Sequence, residues 1–184
     1  MSRQLFHLVA VIGIFLASLN SADAFEGFLR IDGIRGDSMD KLHRDWIAVT
    51  AVGWGHQMMG GDTRMAAGGA VAGRPQFQPM TISKLLDSAS PMLAQMLAEG
   101  RPIPRMTLEL VMQPGLSPFA KVDLENALAV SYAVEGAAGP QTRPTEKISF
   151  NFGKIIWTVT SFDLNGQPRG EVRGAWDIMR GVGK

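Results

Sequence analysis

The stretch ISFNFGKIIWTVTSF, Ile148 to Phe162, decides the fold. It is dense in β-branched and aromatic residues, alternates in period two and is interrupted only by Gly153. That pattern predicts half-buried strand rather than helix. Working outward, Val122 to Val134 continues the alternation, with a polar Glu125-Asn126 where a bulge or bend fits. Arg105 to Gln113 reads as a strand that sets Met106, Leu108, Leu110 and Met112 against Thr107, Glu109 and Val111. Trp46 to Gly55 places Trp46, Ala48, Thr50, Val52 and Trp54 on one face, and Phe25 to Ile31 stops at the turn signal Asp32-Gly33. Strands at this spacing, joined by Gly and Pro turns, predict a mainly β sandwich or barrel.

One helix interrupts the strands. Ser90 before Pro91 matches an N-cap followed by proline at the first helical position. Met92, Leu93, Met96 and Leu97 form a single apolar stripe, and Gly100 supplies the stop. This predicts a helix lying along the sheet. The segment His56 to Pro75, HQMMGGDTRMAAGGAVAGRP, has no sustained period and is expected to be a flexible loop. Met58, Met59, Gly60, Gly61, Met65, Gly68 and Gly69 are its candidate contact residues, because flexible methionines adapt to a partner surface and glycines free the backbone.

Charge and composition narrow the function. Lys and Arg number 18 against 17 Asp and Glu in 184 residues, a net charge of +1, which argues against a nucleic-acid partner. The absence of cysteine removes disulfide scaffolds, thiolate metal sites and cysteine nucleophiles. Arg3, the apolar run Leu8 to Leu19 and Ala22-Asp23-Ala24 have the layout of a secretory leader, with cleavage expected between Ala24 and Phe25. That apolar run falls short of the ~20 residues of a spanning helix, so no permanent membrane span is expected. Residues 25–184 are then expected to form one domain.

Enzymatic signals are weak. Beyond the leader the only histidines are His43 and His56, and they form no metal-ligand spacing. His43 with Asp40 and Asp45 reads as a solvated polar turn. Gly53-Trp54-Gly55 lacks the third glycine and the following helix of a dinucleotide loop, and no nucleophile elbow is present. Asp123 and Glu125 share a strand face, which more often means a polar outer surface than a catalytic pair. Trp46, Trp54, Trp157 and Trp176 read as barrel or interface aromatics. No cofactor, metal or catalytic residue is expected.

Taken together, FLRIDGIRGDS (Phe28 to Ser38), DKLHRDWIAVTAVGWG (Asp40 to Gly55), KLLDSASPMLAQMLAEGRPIPRMTLEL (Lys84 to Leu110), PTEKISFNFGKIIWTVT (Pro144 to Thr160) and Trp176-Asp177-Ile178 resemble the haemolysin-coregulated protein family of type VI secretion systems. The resemblance implies a two-sheet β-barrel with a flanking helix, assembled into hexameric rings that stack as a tube. It implies a structural role, with small effectors in the lumen, a spike protein at the tip and a sheath as partners. It also implies assembly in the cytoplasm and export by the type VI machine, whereas the leader predicts general secretion to the periplasm. Gly53 stands where relatives often carry a small polar residue and is the lumen-facing candidate. With Lys184 six residues after Ile178, no added toxin domain is expected. Low charge and a Gly/Met-rich loop suit a subunit that covers much of its outside with copies of itself. The alternative is an exported monomeric β-domain acting as a binding or adhesion module.

Overall fold

Period-two segments become strands wherever one phase can be buried, and the computed structural model, which describes residues 25–60, 73–139 and 143–183, shows this for nearly every one. In chain order the elements are β1 (Glu26–Ile31), β2 (Ile47–Val49), β3 (Ala51–Gly53), β4 (His56–Met59), β5 (Arg74–Phe77), β6 (Met80–Leu85), α1 (Ser90–Ala98), β7 (Ile103–Val111), β8 (Ala120–Glu135), β9 (Thr145–Asn151), β10 (Lys154–Phe162), β11 (Pro168–Asp177) and β12 (Val182–Gly183). All but β4 and β5 belong to a ten-stranded sheet. One run of it is β12-β11-β10-β8-β7-β1-β2, and from β8 a second run continues through β9 and β6 to β3. Every pairing is antiparallel. The leader, with Ala24, lies outside the described residues, as do Gly61, Met65, Gly68 and Gly69.

The sheet folds over where β8 bends. Up to Glu125 this strand pairs with β10 and up to Ala127 with β7, and from Leu128 it pairs with β9. Between them Asn126 takes a left-handed conformation, φ 53°. Opposite the bend, Gly153 separates β9 from β10, and its N–H donates to the carbonyls of Glu125 and Asn126 at 3.0 and 3.2 Å. The polar break at Glu125-Asn126 and the glycine break are therefore one corner, made by two strands turning together.

A second corner divides the segment Trp46 to Gly55. Thr50 leaves the ladder, β2 pairs only with β1, and β3 pairs only with β6. The Thr50 N–H reaches the Ser83 carbonyl at 2.8 Å. The barrel is thus not closed by a continuous ladder. Ile47 and Val49 are buried while Ala48 and Thr50 are exposed, but after the break Val52 packs against the core. The expected single face from Trp46 to Trp54 is split for that reason.

Between the two runs lies one apolar core of Leu29, Ile47, Met80, Ile82, Leu108, Leu124, Ile148, Phe150 and Ile155, joined by Leu93 and Met96 of the helix. The helix stripe is narrower than its sequence suggests, since Met92 is exposed. Ala89 rather than Ser90 holds the N-cap position, and no side chain caps it. Gly100, at φ 61°, ends the helix, and the Arg101 N–H returns to the Met96 carbonyl at 3.0 Å. β7 stops at Val111, leaving Met112 in the turn beyond it.

The corner yields the first prediction. A left-handed backbone costs most L-residues about 1–2 kcal/mol, and asparagine less. Asn126→Gly is expected to hold or raise the urea midpoint, and Asn126→Val to lower it by about 1–2 kcal/mol of stability, with an unchanged slope.

Candidate functional site

The segment expected to be structureless is paired at both ends. His56, Gln57, Met58 and Met59 lie opposite Phe77, Gln76, Pro75 and Arg74, so β4 and β5 form a separate two-stranded ribbon. Short strands of mixed polarity, one containing proline, carry no periodic signal, which explains the miss. The ribbon's root is anchored by rings. His56 stacks on Phe77 at 4.9 Å and lies 5.9 Å from Trp157, and Phe77 meets Phe152 edge-on at 6.0 Å. Beyond this root Met58 and Met59 are 57% and 52% exposed. Gly60 follows in a left-handed conformation, φ 76°. Gly53, before the ribbon, is exposed and opens onto free space.

Two ionic clusters hold the body from which the ribbon projects. In the first, Lys84 on β6 and Glu146 on β9 stand directly opposite each other, both fully buried, with Nζ to Oε2 at 2.6 Å. Lys84 also pairs with Asp87 at 2.6 Å and donates to Ser90 Oγ at 3.1 Å. Ser90 donates to Glu146 Oε2 at 2.8 Å, and the Tyr132 hydroxyl donates to Oε1. Ser90 therefore fastens the helix start to the sheet instead of capping it. Burial pushes the Glu146 carboxyl up, but hydrogen bonds from Lys84, Tyr132 and Ser90 outweigh it and hold the group below its ordinary 4.5. Burial, reinforced by the Glu146 contact, pushes Tyr132 up to about 12.

The second cluster corrects the reading of His43 as part of a solvated turn. His43 is buried, stacked on Phe28 with centroids 4.3 Å apart, and Trp46 meets its ring edge-on at 5.0 Å. Its Nδ1 lies 2.6 Å from Asp40 Oδ1 and its Nε2 lies 3.0 Å from Glu109 Oε2. Carboxylates only accept, so this geometry suits a ring that donates from both sides. Asp40 Oδ2 also accepts the Gly115 N–H at 2.6 Å, tying the 34–46 segment to the turn after β7. Burial raises the Asp40 carboxyl, yet hydrogen bonds from His43, Leu42 and Gly115 leave it below 3.8. The segment doubles back so closely that a Cβ on Gly36 would sit 2.6 Å from Ile47 Cα.

The remaining candidates serve as ion-pair partners. Glu125 sits between Arg105 at 2.6 Å and Lys154 at 2.9 Å, and Asp123 accepts from Thr107 at 2.7 Å. Trp46 lies under the Arg30 guanidinium at 5.3 Å, and Trp157 and Trp176 line the cavity beneath the ribbon. Among the described residues no group of three or more His, Asp or Glu is arranged to hold a metal ion, and no helix is long and apolar enough to cross a membrane.

Comparison with known proteins gives a consistent result. The family model described as "Type VI secretion system effector, Hcp" matches residues 28–159. The protein Hcp1 of Pseudomonas aeruginosa is 28% identical over 162 residues, covering 86% of this chain and 98% of the relative. A solved structure of a type six secretion system protein superposes with a TM-score of 0.81 at 27% identity, covering 88% of this chain and all of the other. Hcp1 from Salmonella typhimurium shares the fold, with a TM-score of 0.70 at 22% identity over 88% of this chain and 99% of that one.

The clusters generate two predictions. Asp40 and Glu146 have folded values below their ordinary 3.8 and 4.5, so each stabilises the fold fully above those values. That contribution is lost as pH falls through the lower folded values. Denaturation free energy should be level above about pH 5 and fall steadily below it, and Asp40→Asn and Glu146→Gln should each flatten this acid limb. Breaking the buried pair on one side only, by Lys84→Met or Glu146→Leu, should cost about 3–5 kcal/mol, while the double substitution should recover much of that loss. Equal or greater loss in the double variant would count against the pair as the organising contact.

Proposed function

The chain belongs to the Hcp family of type VI secretion proteins and is a component of that system's tube, and we propose that it closes into hexameric rings that stack end to end and carry small effectors through their lumen. The observation that carries this reading is the ribbon. A domain whose fully buried core takes no residue from β4 or β5 still holds out two exposed methionines on a ring-anchored hairpin. Such a feature does little for the fold that bears it and is suited to another surface.

Other features support association. The β10–β11 hairpin exposes Val159, Leu164 and Val172, and Met179 is exposed near its base. Contacts between unlike patches produce rings when their rotation closes, and stable interfaces usually bury more than ~1,000 Å². Gly53, with no side chain, is proposed to face the lumen, and the spike and sheath to meet the assembled tube. Met58, Met59 and Gly60, with Gly61, Met65, Gly68 and Gly69 in the same loop, are proposed as the stacking residues.

Light scattering on the full-length chain should give a hexameric mass at micromolar concentration, and a folded monomer there would overturn the ring. Replacing Gly60 to Gly73 by a tight turn joining Met59 to Arg74 should leave thermal stability nearly unchanged, because closure entropy varies slowly with loop length. Rings should survive that change, and rods seen by electron microscopy should become rare. Undiminished rods would remove the Gly60 to Gly73 segment from stacking.

A further inference from the structure

A cavity of about 440 Å³ is an open groove away from the ribbon root. One wall is the β7–β8 connection, with Met112, Leu116 and Phe119, and the other is the β10–β11 turn, with Phe162 and Pro168. Met112 and Leu116 are 49% and 51% exposed. Next to Phe162 in the chain, Asp163 Oδ1 accepts the N–H groups of Asn165 and of groove-lining Gln167, both at 2.8 Å, which fixes this carboxylate at the turn. The opposite wall is fixed as well, because Gly115 is held by Asp40, which His43 links to Glu109. The groove is thus an apolar trough between two pinned turns, with an acid at its edge.

The ribbon has the matching chemistry. Met59 and Arg74 are directly opposed in its ladder and so stand side by side on one face. Among its described strand residues Arg74 is a cation and none is an acid. Within one chain the ribbon root and the groove sit at separate places along β10. The ribbon root is fixed on Trp157, whereas the groove begins at Phe162, five residues along β10, or ~17 Å at ~3.3 Å per residue. Donor and acceptor are therefore different patches of one surface, as a head-to-tail contact requires.

We propose that this groove receives the Met58–Met59 end of the ribbon from a second copy of the chain in the next ring, with Arg74 of that copy beside Asp163. The assignment rests on the stacking reading above and names its receptor. Asp40, His43 and Glu109 act as positioning residues, since they set the height of the Gly115 wall without touching the incoming ribbon.

The absence of cysteine makes the test direct. A full-length Met59→Cys/Leu116→Cys variant, treated with a short bismaleimide, should give covalent ladders running past the size of one ring on a denaturing gel. A Met59→Cys/Gln95→Cys control should not, since Gln95 lies on the exposed face of α1 outside the groove. A charge exchange supplies a second readout that needs no cysteine. Asp163→Arg and Arg74→Asp should each raise several-fold the concentration at which rods appear, and the double exchange should restore it. Rods without the 59–116 cross-link, or with no rescue by the exchange, would overturn the groove and leave stacking intact. A parent chain that forms rings but never rods would overturn both.

Discussion

A β-sheet of this size can enclose a core only if a strand changes direction without leaving its neighbours unpaired. Here that constraint is met where β8 bends at Asn126 and the chain breaks at Gly153, with one glycine N–H bonded to the carbonyls on either side of the bend. The halves of the sheet on either side can then face each other across Leu124, Ile148, Phe150 and Ile155. The helix, the 34–46 segment and the ribbon are all attached to faces that this corner creates. Beyond the bend β8 pairs with β9, which in turn pairs with β6 and sets Lys84 opposite Glu146.

The two ionic clusters divide the remaining work. The Lys84–Glu146 pair, with Asp87, Ser90 and Tyr132, fastens the helix start to the sheet from within. The Asp40–His43–Glu109 chain fastens a long connection to the outer face of the sheet and reaches the turn at Gly115. A buried pair of this kind adds less net stability than its Coulomb energy suggests, but removing one partner is costly. It therefore penalises misplacement. That suits a subunit whose outer surfaces must meet copies of themselves in register, because small displacements would repeat at every copy.

Much of this was legible in the sequence, and the exceptions share a cause. Period two found β1, β7, β8, β9 and β10, and Gly153, Gly100 and the polar Glu125-Asn126 marked real breaks. A signal for the first ionic cluster was also present. Lys84 lies in phase with buried Met80 and Ile82, and Glu146 with Ile148 and Phe150, so each charge sits where its strand points inward. For His43 no local signal existed, since Glu109 is 66 residues away and only the fold joins them. Ser90 looked like a cap because serine before proline usually is one, and a tertiary acceptor outcompeted the local role. The ribbon strands are short, of mixed polarity and stabilised by rings that arrive from β10 and from Phe152 between β9 and β10, which a window along the chain cannot see.

The central claim is that the ribbon lies between rings and not within a finished monomer. Cryo-electron microscopy of the assembled full-length protein addresses it most directly. The account predicts a stack of six-fold rings in which density for β4 and β5 crosses each ring boundary and Met59 enters the neighbouring subunit. Rings that stack with the ribbon folded back on its own barrel, or a map of isolated subunits only, would contradict it.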